Sequence, residues 1–115
     1  MSNRRRVLIV EDEALIAFLL EDMIQELGYE VAGTANSLAA AMDAEPASYD
    51  MAILDVSLNG HDVYPFAVTL AARGTPFAFA SGGVAIPPEH GNAPLLHKPF
   101  RQESLARILD QMAPA

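Results

Sequence analysis

Short apolar runs alternate along this chain with segments that have helical periodicity. Residues 7–10 form a continuous apolar run, as in a strand buried on both faces, and residues 14–27 carry a helical pattern that ends at Gly28. Further strands are predicted at 29–34, 50–54, 76–80 and 95–97, and further helices at 37–44, 63–73 and 103–112. Strands that alternate with helices indicate a parallel sheet covered on both faces. We therefore predict an α/β fold with five parallel strands.

One segment breaks the alternation. Residues 82–94 contain three Gly and three Pro, a content that disfavours a long regular helix. Any helix between the last two strands should therefore be short or irregular. Pro65 is compatible with the predicted third helix because it falls in the first turn.

The length and charge of the chain limit its function. A chain of 115 residues is expected to form one domain, 1–115, with one continuous core. Its net charge of -8 disfavours nucleic acid and anionic membranes as direct partners. The absence of cysteine excludes a disulfide framework, a thiolate metal site and a Cys nucleophile. No apolar segment is long enough to span a bilayer, and we expect a cytoplasmic protein.

Polar side chains follow four of the predicted strands. Glu11 and Asp12 follow the first strand, Asp55 the third, Ser81 the fourth and Lys98 the fifth. Ligands of open parallel sheets bind at the carboxyl ends of the strands, so these side chains should share one edge.

Clustered carboxylates favour a hard cation, and Mg²⁺ is the common choice. Beside a Lys and a hydroxyl, such a cluster is typical of phosphoryl chemistry in which one carboxylate acts as the nucleophile. Asp55 is the best candidate, because it lies alone among apolar neighbours.

Each residue also has a simpler explanation. Asp12 or Glu13 could cap the first helix, Asp55 and Ser81 could be turn residues, and Lys98 could be an exposed side chain before Pro99. Their joint occurrence at four strand ends favours the functional interpretation.

The segments VLIVEDE, AILDVSLNG, FAFASGG and LLHKPF together resemble the receiver domain of two-component response regulators. The resemblance covers nearly the whole chain. It implies the flavodoxin-like strand order 2-1-3-4-5. FAFASGG is also similar to the Phe-Ala-Thr-Gly-type sequence of a subgroup of stand-alone receivers.

The resemblance implies a role for each polar residue. Asp55 would accept a phosphoryl group from a sensor histidine kinase or a histidine phosphotransfer protein, and Ser81 and Lys98 would bind the phosphoryl oxygens. Glu13 would be an acid of the first helical turn. Mg²⁺ would be held by Glu11, Asp12, Asp55 and the backbone carbonyl of Ser57.

The chain departs from the family at Leu95, where receivers commonly carry a Tyr or Phe that reports phosphorylation. We predict that residues 82–94 are mobile without phosphate and become ordered when Ser81 is drawn toward the phosphoryl group. A rigid Pro-bearing loop is the alternative.

Two other functions stay open. Phosphatases of the haloacid dehalogenase type also use a strand-end Asp, Mg²⁺ and a Lys, but they carry a second Asp two positions after the nucleophile, where this chain has Ser57. The second alternative is a receiver domain that binds partners without being phosphorylated.

The chain ends soon after its last helix, so no output domain is expected and signalling should use contact with a downstream protein. The protein would catalyse only its own phosphorylation and dephosphorylation, and would not be an enzyme otherwise.

The first helix suggests a docking surface for the kinase. At about 100° per residue, one side carries Ile16, Leu20, Met23 and Leu27, which should face the core. Phe18 falls nearly opposite, close to the acids, and we expect it to be exposed and available to a partner helix.

Overall fold

The computed structural model describes residues 5–58, 61–83, 90–91 and 93–113. Within these ranges the strands are β1 (Arg6–Val10), β2 (Glu30–Ala35), β3 (Met51–Asp55), β4 (Ser57–Leu58), β5 (His61–Asp62), β6 (Phe77–Ser81) and β7 (Leu95–His97). The α-helices of the same ranges are α1 (Ala14–Glu26), α2 (Leu38–Asp43), α3 (Tyr64–Arg73) and α4 (Gln102–Met112). A short 3₁₀ helix at Pro46–Ser48, which the sequence patterns did not predict, precedes β3.

Five strands form one parallel sheet in the order β2-β1-β3-β6-β7. When these five strands are numbered as they follow one another along the chain, their order in the sheet is 2-1-3-4-5. The predicted strand order is therefore confirmed. The short strands β4 and β5 were not predicted, and they pair antiparallel outside the sheet.

The sheet has a separate hydrophobic layer on each face. Successive side chains of a strand point to opposite faces, so Val7 and Ile9 of β1 join one layer while Leu8 and Val10 join the other. The first layer is completed by α1 and α4, and the second by α2 and α3. Burial on both faces explains why the β1 and β3 sequences are almost continuously apolar.

Three strands of the parallel sheet lie one residue later than the sequence patterns predicted. β2, β3 and β6 end at Ala35, Asp55 and Ser81. The pairing of Asp55 with Ala80 extends the ladder into residues whose polarity had marked the strand end. The helix ends were predicted to within about one residue, and Gly74 ends α3 in the left-handed conformation, with φ 72°.

The predicted core face of α1 was wrong in part. Leu20 and Met23 are buried as expected, but Ala17 and Ile24 complete the buried stripe, while Ile16 and Leu27 are only half-buried. The helix is apolar on several sides, so its sequence does not define a single stripe. Phe18 is 70% exposed, as predicted.

Some predictions concern residues that the structure does not describe. The irregular fourth helix and the mobility of residues 82–94 fall largely on residues 84–89 and 92, which lie outside the described residues. Across the described ranges, no helix has both the length and the apolar character needed to cross a membrane.

Candidate phosphoryl site

The carboxyl ends of the parallel strands bring the predicted site residues to one edge of the sheet. Glu11 directly follows β1, and Lys98 directly follows β7. Asp55 and Ser81 are the last residues of β3 and β6, whereas the sequence patterns had placed them just after those strands. Ser81 comes one position after Ala80, the residue that pairs with Asp55.

Three carboxylates converge at this edge. Glu11, Asp12 and Asp55 each offer an oxygen, and these oxygens all lie within 4.8 Å of one another. Glu11 is only 3% exposed and Asp55 only 7% exposed. Buried acids at this separation repel one another unless a positive charge lies between them.

Lys98 supplies such a charge. Its ammonium nitrogen Nζ lies 3.3 Å from Glu11 Oε1 and 3.3 Å from Asp55 Oδ1. One lysine therefore bridges the acid that follows β1 and the acid that ends β3.

The environment shifts the pKa of both Glu11 and Lys98. Burial raises the pKa of the Glu11 carboxyl to about 7, and the neighbouring Asp55 acts in the same direction. For Lys98, burial lowers the pKa, but attraction to Asp55 and Glu11 outweighs it, so the pKa lies above its usual value. The lysine thus stays charged, while Glu11 can bind a proton near neutral pH.

Glu13 lies at the cap position, the simpler of its two predicted positions, and not in the first turn of α1. It is the N-cap of α1 and precedes the first helical turn, because its backbone is extended, with φ -91° and ψ 116°. Its side chain makes no capping hydrogen bond. Its backbone N–H donates to Glu11 Oε2 at 3.1 Å, so Glu13 helps to orient the Glu11 carboxylate.

Ser81 is buried and closely connected to Lys98. The backbone N–H of Lys98 donates to the carbonyl oxygen of Ser81 at 3.0 Å, and the hydroxyl of Ser81 accepts the N–H of Gly83 at 3.2 Å. The peptide bond between Lys98 and Pro99 is cis. Ser57, whose carbonyl was predicted as a metal ligand, is the first residue of β4, two positions after Asp55.

Leu95 is half-buried in β7 and pairs with Phe79 of β6. Aromatic contacts occur next to this pair. Tyr64, the first residue of α3, stacks on His90 with ring centroids 5.1 Å apart and an interplanar angle of 7°, and both rings contact Phe79 edge-on. This cluster was not predicted from the sequence, because the local patterns around Tyr64 and His90 give no sign that the two rings meet.

The exposed side of α1 carries more apolar surface than Phe18 alone. Leu15 is 85% exposed and Leu19 is 49% exposed, so with Phe18 they form an apolar patch at the acid edge. The spacing i, i+3, i+4 places these three residues on one side of the helix, so the patch extends beyond the predicted Phe18.

Two hollows flank this apolar patch of Leu15, Phe18 and Leu19. One, of about 400 Å³, is lined by Ile16, Leu19, Lys98, Pro99 and Phe100. The other, of about 350 Å³, includes Glu11, Asp12 and Phe18 in its lining. Each hollow therefore includes at least one residue of the acid site in its lining.

The arrangement provides the parts of a phosphoryl-transfer site. Three carboxylates form an oxygen ligand set suited to a hard divalent cation. Lys98 provides a fixed positive charge beside a carboxylate that can act as a nucleophile.

Comparison with known proteins agrees with this geometry. The sequence model of the response regulator receiver domain matches residues 7–110. The transcriptional regulatory protein PdtaR of Mycobacterium tuberculosis is 41% identical over 70 residues, which cover 60% of this chain and 34% of PdtaR. The match thus spans about a third of the length of that relative.

Solved structures show the same architecture over nearly the whole chain. The solution structure of SdrG from Sphingomonas melonis Fr1 is 40% identical, with a TM-score of 0.86 and coverage of 97% of this chain and 98% of SdrG. The BeF3-activated conformation of SdrG from Pseudomonas melonis Fr1 is 41% identical, with a TM-score of 0.80 and coverage of 96% and 97%. This chain therefore belongs to the response regulator receiver domain family of two-component signalling.

Proposed function

We propose that this protein is a phosphoacceptor response regulator whose Asp55 receives a phosphoryl group from a phosphohistidine in a Mg²⁺-dependent reaction. The observation that carries this proposal is the position of Lys98, 3.3 Å from both Asp55 and Glu11 inside a cluster of three carboxylates. A receiver needs a nucleophilic carboxylate, a cation site and a fixed positive charge within one site, and these residues supply all three.

The metal would be held by four oxygen ligands. The carboxylate oxygens of Glu11, Asp12 and Asp55 are close enough to share one cation. The backbone carbonyl of Ser57 would be the fourth ligand, with water completing the octahedral shell that Mg²⁺ prefers. When bound, Mg²⁺ would offset the negative charge of the incoming phosphate.

In the transfer, a carboxylate oxygen of Asp55 forms a bond to phosphorus as the bond from phosphorus to the histidine nitrogen breaks. The electron pair of the broken bond stays on the imidazole, which takes up a proton. The ammonium group of Lys98 would move from Asp55 towards a phosphoryl oxygen and donate a hydrogen bond to it. The hydroxyl of Ser81 would donate a hydrogen bond to a second phosphoryl oxygen. Both contacts stabilise charge on the transferred group, which is the main catalytic contribution in phosphoryl transfer.

The donor would be a sensor histidine kinase or a histidine phosphotransfer protein that docks on α1. Leu15, Phe18 and Leu19 give the donor helix an apolar surface beside the acid site. The hollow lined by Leu19, Lys98 and Phe100 would receive a side chain next to the reactive histidine.

We propose that residues 1–115 act as a single receiver domain in the cytoplasm. The signal would pass by contact with a downstream protein, and neither nucleic acid nor membrane would be a direct partner. One of the SdrG structures similar to this chain is a BeF3-activated conformation. We propose that this chain also has an activated conformation, and that it is reached when its acid site is phosphorylated.

Mass spectrometry of the intact protein, after incubation with a small phosphodonor and Mg²⁺, tests the proposal. One phosphoryl group should appear on the wild-type chain and none on Asp55→Asn, because an amide has no carboxylate nucleophile. Asp43→Asn at the exposed end of α2 is the matched control and should be labelled normally.

The same experiment separates the alternatives. A haloacid dehalogenase-type phosphatase would release phosphate from esters continuously, and a receiver that is not phosphorylated would stay unlabelled. Labelling of Asp55→Asn equal to wild type would overturn the assignment of the acceptor.

A further inference from the structure

All the sulfur atoms of this chain belong to methionine side chains. The sequence contains five Met and no Cys, so an oxidant cannot attack a thiol. Within the described residues, Met23, Met51 and Met112 are at most 8% exposed. Met42, in the last turn of α2, is 41% exposed. Of these four methionines, Met42 is therefore the one that an oxidant in solution reaches most easily.

The sulfur of Met42 lies next to a hydroxyl of the neighbouring helix α3. Thr69 Oγ1 is 4.0 Å from Met42 Sδ and 3.1 Å from the carbonyl oxygen of Pro65, which lies about one helical turn earlier. A hydroxyl has a single hydrogen to donate, and a thioether is a weak acceptor. The shorter contact, to the carbonyl of Pro65, therefore holds the hydroxyl of Thr69 while Met42 is reduced.

The short helix α2 depends on contacts with the rest of the fold. It has six residues, and a helix of this length is not stable by itself in water. Ala41 is its buried residue, and Ser37 caps its first turn by accepting the N–H of Ala40 at 3.1 Å. At the other end, the N–H of Ala44 donates to the carbonyl of Ala40 at 3.1 Å. The contact of the last turn with α3 should therefore affect how often this hydrogen bond opens.

The charge around Met42 favours an uncharged oxidant. The chain carries a net charge of -8, and Asp43 and Glu45, which closely follow Met42, are both exposed. These carboxylates repel anionic oxidants such as hypochlorite, whereas hydrogen peroxide is neutral and is not repelled. Hydrogen peroxide is therefore the oxidant that suits this surface.

We propose that Met42 is a site of reversible oxidation, where hydrogen peroxide converts the thioether to a sulfoxide that takes over the hydrogen bond of Thr69. A lone pair of sulfur forms a bond to one peroxide oxygen as the oxygen–oxygen bond breaks. The other oxygen receives a proton from the first and leaves as water, so sulfur is oxidised and the peroxide is reduced. A methionine sulfoxide reductase, with a thiol as the reductant, reverses the step. This site goes beyond the proposed function, since it involves neither Asp55 nor the donor of the phosphoryl group.

Oxidation changes which acceptor the hydroxyl of Thr69 prefers. The sulfoxide oxygen is polar and accepts hydrogen bonds far better than the thioether does. It is bonded to a sulfur that already lies 4.0 Å from Thr69 Oγ1, and rotation of the flexible Met42 side chain brings it within hydrogen-bond distance. The hydroxyl then joins α3 to α2, where before it bonded only within α3.

Peptide mapping by mass spectrometry, after brief treatment with hydrogen peroxide, tests the site. In the folded protein, Met42 should be oxidised about tenfold faster than Met23, Met51 and Met112, because burial shields their sulfur atoms. In concentrated urea the four rates should become similar, since all four side chains are then exposed. Treatment with a methionine sulfoxide reductase and a thiol should restore the original mass.

Amide hydrogen exchange tests the contact with Thr69. Exchange at Ala44 should slow about fivefold on oxidation, the effect of one hydrogen bond of ordinary strength. Thr69→Val should lose this slowing although Met42 is still oxidised, and Thr69→Ser, which keeps the hydroxyl, should retain it. Met42→Leu is close to Met in volume and should show no response to peroxide at Ala44. Circular dichroism confirms that each variant is folded.

Several results would overturn the proposal. One is oxidation of Met42 that is no faster than oxidation of the buried methionines. Another is exchange at Ala44 that becomes faster or stays constant when Met42 is oxidised, since the sulfoxide would then not join the two helices. Equal slowing in Thr69→Val would remove the hydroxyl from the mechanism, and a peroxide effect that persists in Met42→Leu would assign the change to another residue.

Discussion

The ammonium group of Lys98 lies 3.3 Å from the carboxylate of Asp55, across a sequence separation of 43 residues. The contact depends on the parallel pairing of β3 with β6 and of β6 with β7, which brings the ends of these strands together. Both side chains are mostly buried, so the contact is less screened by solvent than a surface ion pair.

Replacement of Lys98 by Ala should slow labelling of Asp55 by a small phosphodonor roughly a hundredfold, as the loss of a fixed charge-stabilising donor commonly does. Without Mg²⁺ the variant should also unfold more easily than wild type at pH 8, because Glu11 and Asp55 lose the cation between them. Labelling rates and urea titration measure the two effects. Arg5→Ala is the control, and equal labelling of both variants would remove Lys98 from the site.

The pKa of Glu11 predicts a pH dependence of stability in the absence of Mg²⁺. This pKa rises from 4.5 to about 7 on folding, so the folded state binds more protons than the unfolded state in this interval. The contribution of Glu11 to stability is therefore present at low pH and is lost as pH rises from about 4.5 to about 7. Urea titrations at several pH values should show this loss in wild type and much less of it in Glu11→Gln. If the unfolding free energy of Glu11→Gln depends on pH as strongly as that of wild type, the raised pKa does not belong to Glu11.

The affinity for Mg²⁺ should change with pH in the opposite direction. The metal binds the deprotonated carboxylate, so a proton on Glu11 competes with it. Isothermal titration should show roughly tenfold weaker binding at pH 5.5 than at pH 8. Glu103→Gln, on the surface of α4, should bind Mg²⁺ as wild type does. Affinity that is constant over this pH range would contradict a role for Glu11 as a ligand.

Phe18→Asp should impair transfer from the cognate histidine kinase about tenfold or more, while labelling by a small phosphodonor stays intact. The reason is that Phe18 lies in the exposed apolar patch with Leu15 and Leu19, outside the carboxylate cluster. Val68→Asp is a matched control, because Val68 is 58% exposed on α3. Equal loss with both donors would indicate a folding defect, and no loss with either would exclude Phe18 from the interface.

The stacked rings of Tyr64 and His90 should stabilise the chain segment that precedes β7. A double-mutant cycle with Tyr64→Leu and His90→Leu should give a coupling free energy of about 0.5–1.5 kcal/mol, because the two rings stack at 5.1 Å. Amide exchange at Gly91 and Ala93 should be faster in either variant. Additive effects on the unfolding free energy would show that the stack has no energetic role.

The ordering of residues 82–94 on phosphorylation remains a prediction, which amide hydrogen exchange can test. A phosphate mimic bound at Asp55 should slow amide exchange in this segment, because Ser81 directly precedes it and belongs to the acid edge. Exchange that is identical with and without the mimic would favour the rigid loop instead.

The apolar runs of the sequence predicted the five strands of the parallel sheet, whereas the strand order 2-1-3-4-5 came from the resemblance to receiver domains. A run such as VLIV can be buried on both faces only in a covered parallel sheet, and the helical segments between the runs require crossovers. Glu11, after β1, and Asp55, at the end of β3, were predicted to meet because the carboxyl ends of parallel strands lie at one edge of the sheet. The resemblance of the motifs to receiver domains then supplied the predicted roles of Asp55, Ser81 and Lys98. The geometry of the site is compatible with these roles, and experiment has to test them.

Packing and pairing between distant segments decided the rest. The sequence of α1 is apolar on several sides, so only contact with β1 and α4 selects Ala17 and Ile24 for the core over Ile16 and Leu27. Asp55 belongs to β3 because Ala80 of a distant strand pairs with it. The Tyr64–His90 stack likewise joins two residues that are distant in the sequence. Local periodicity reports the preference of one segment, whereas these features depend on which segments meet in the folded chain.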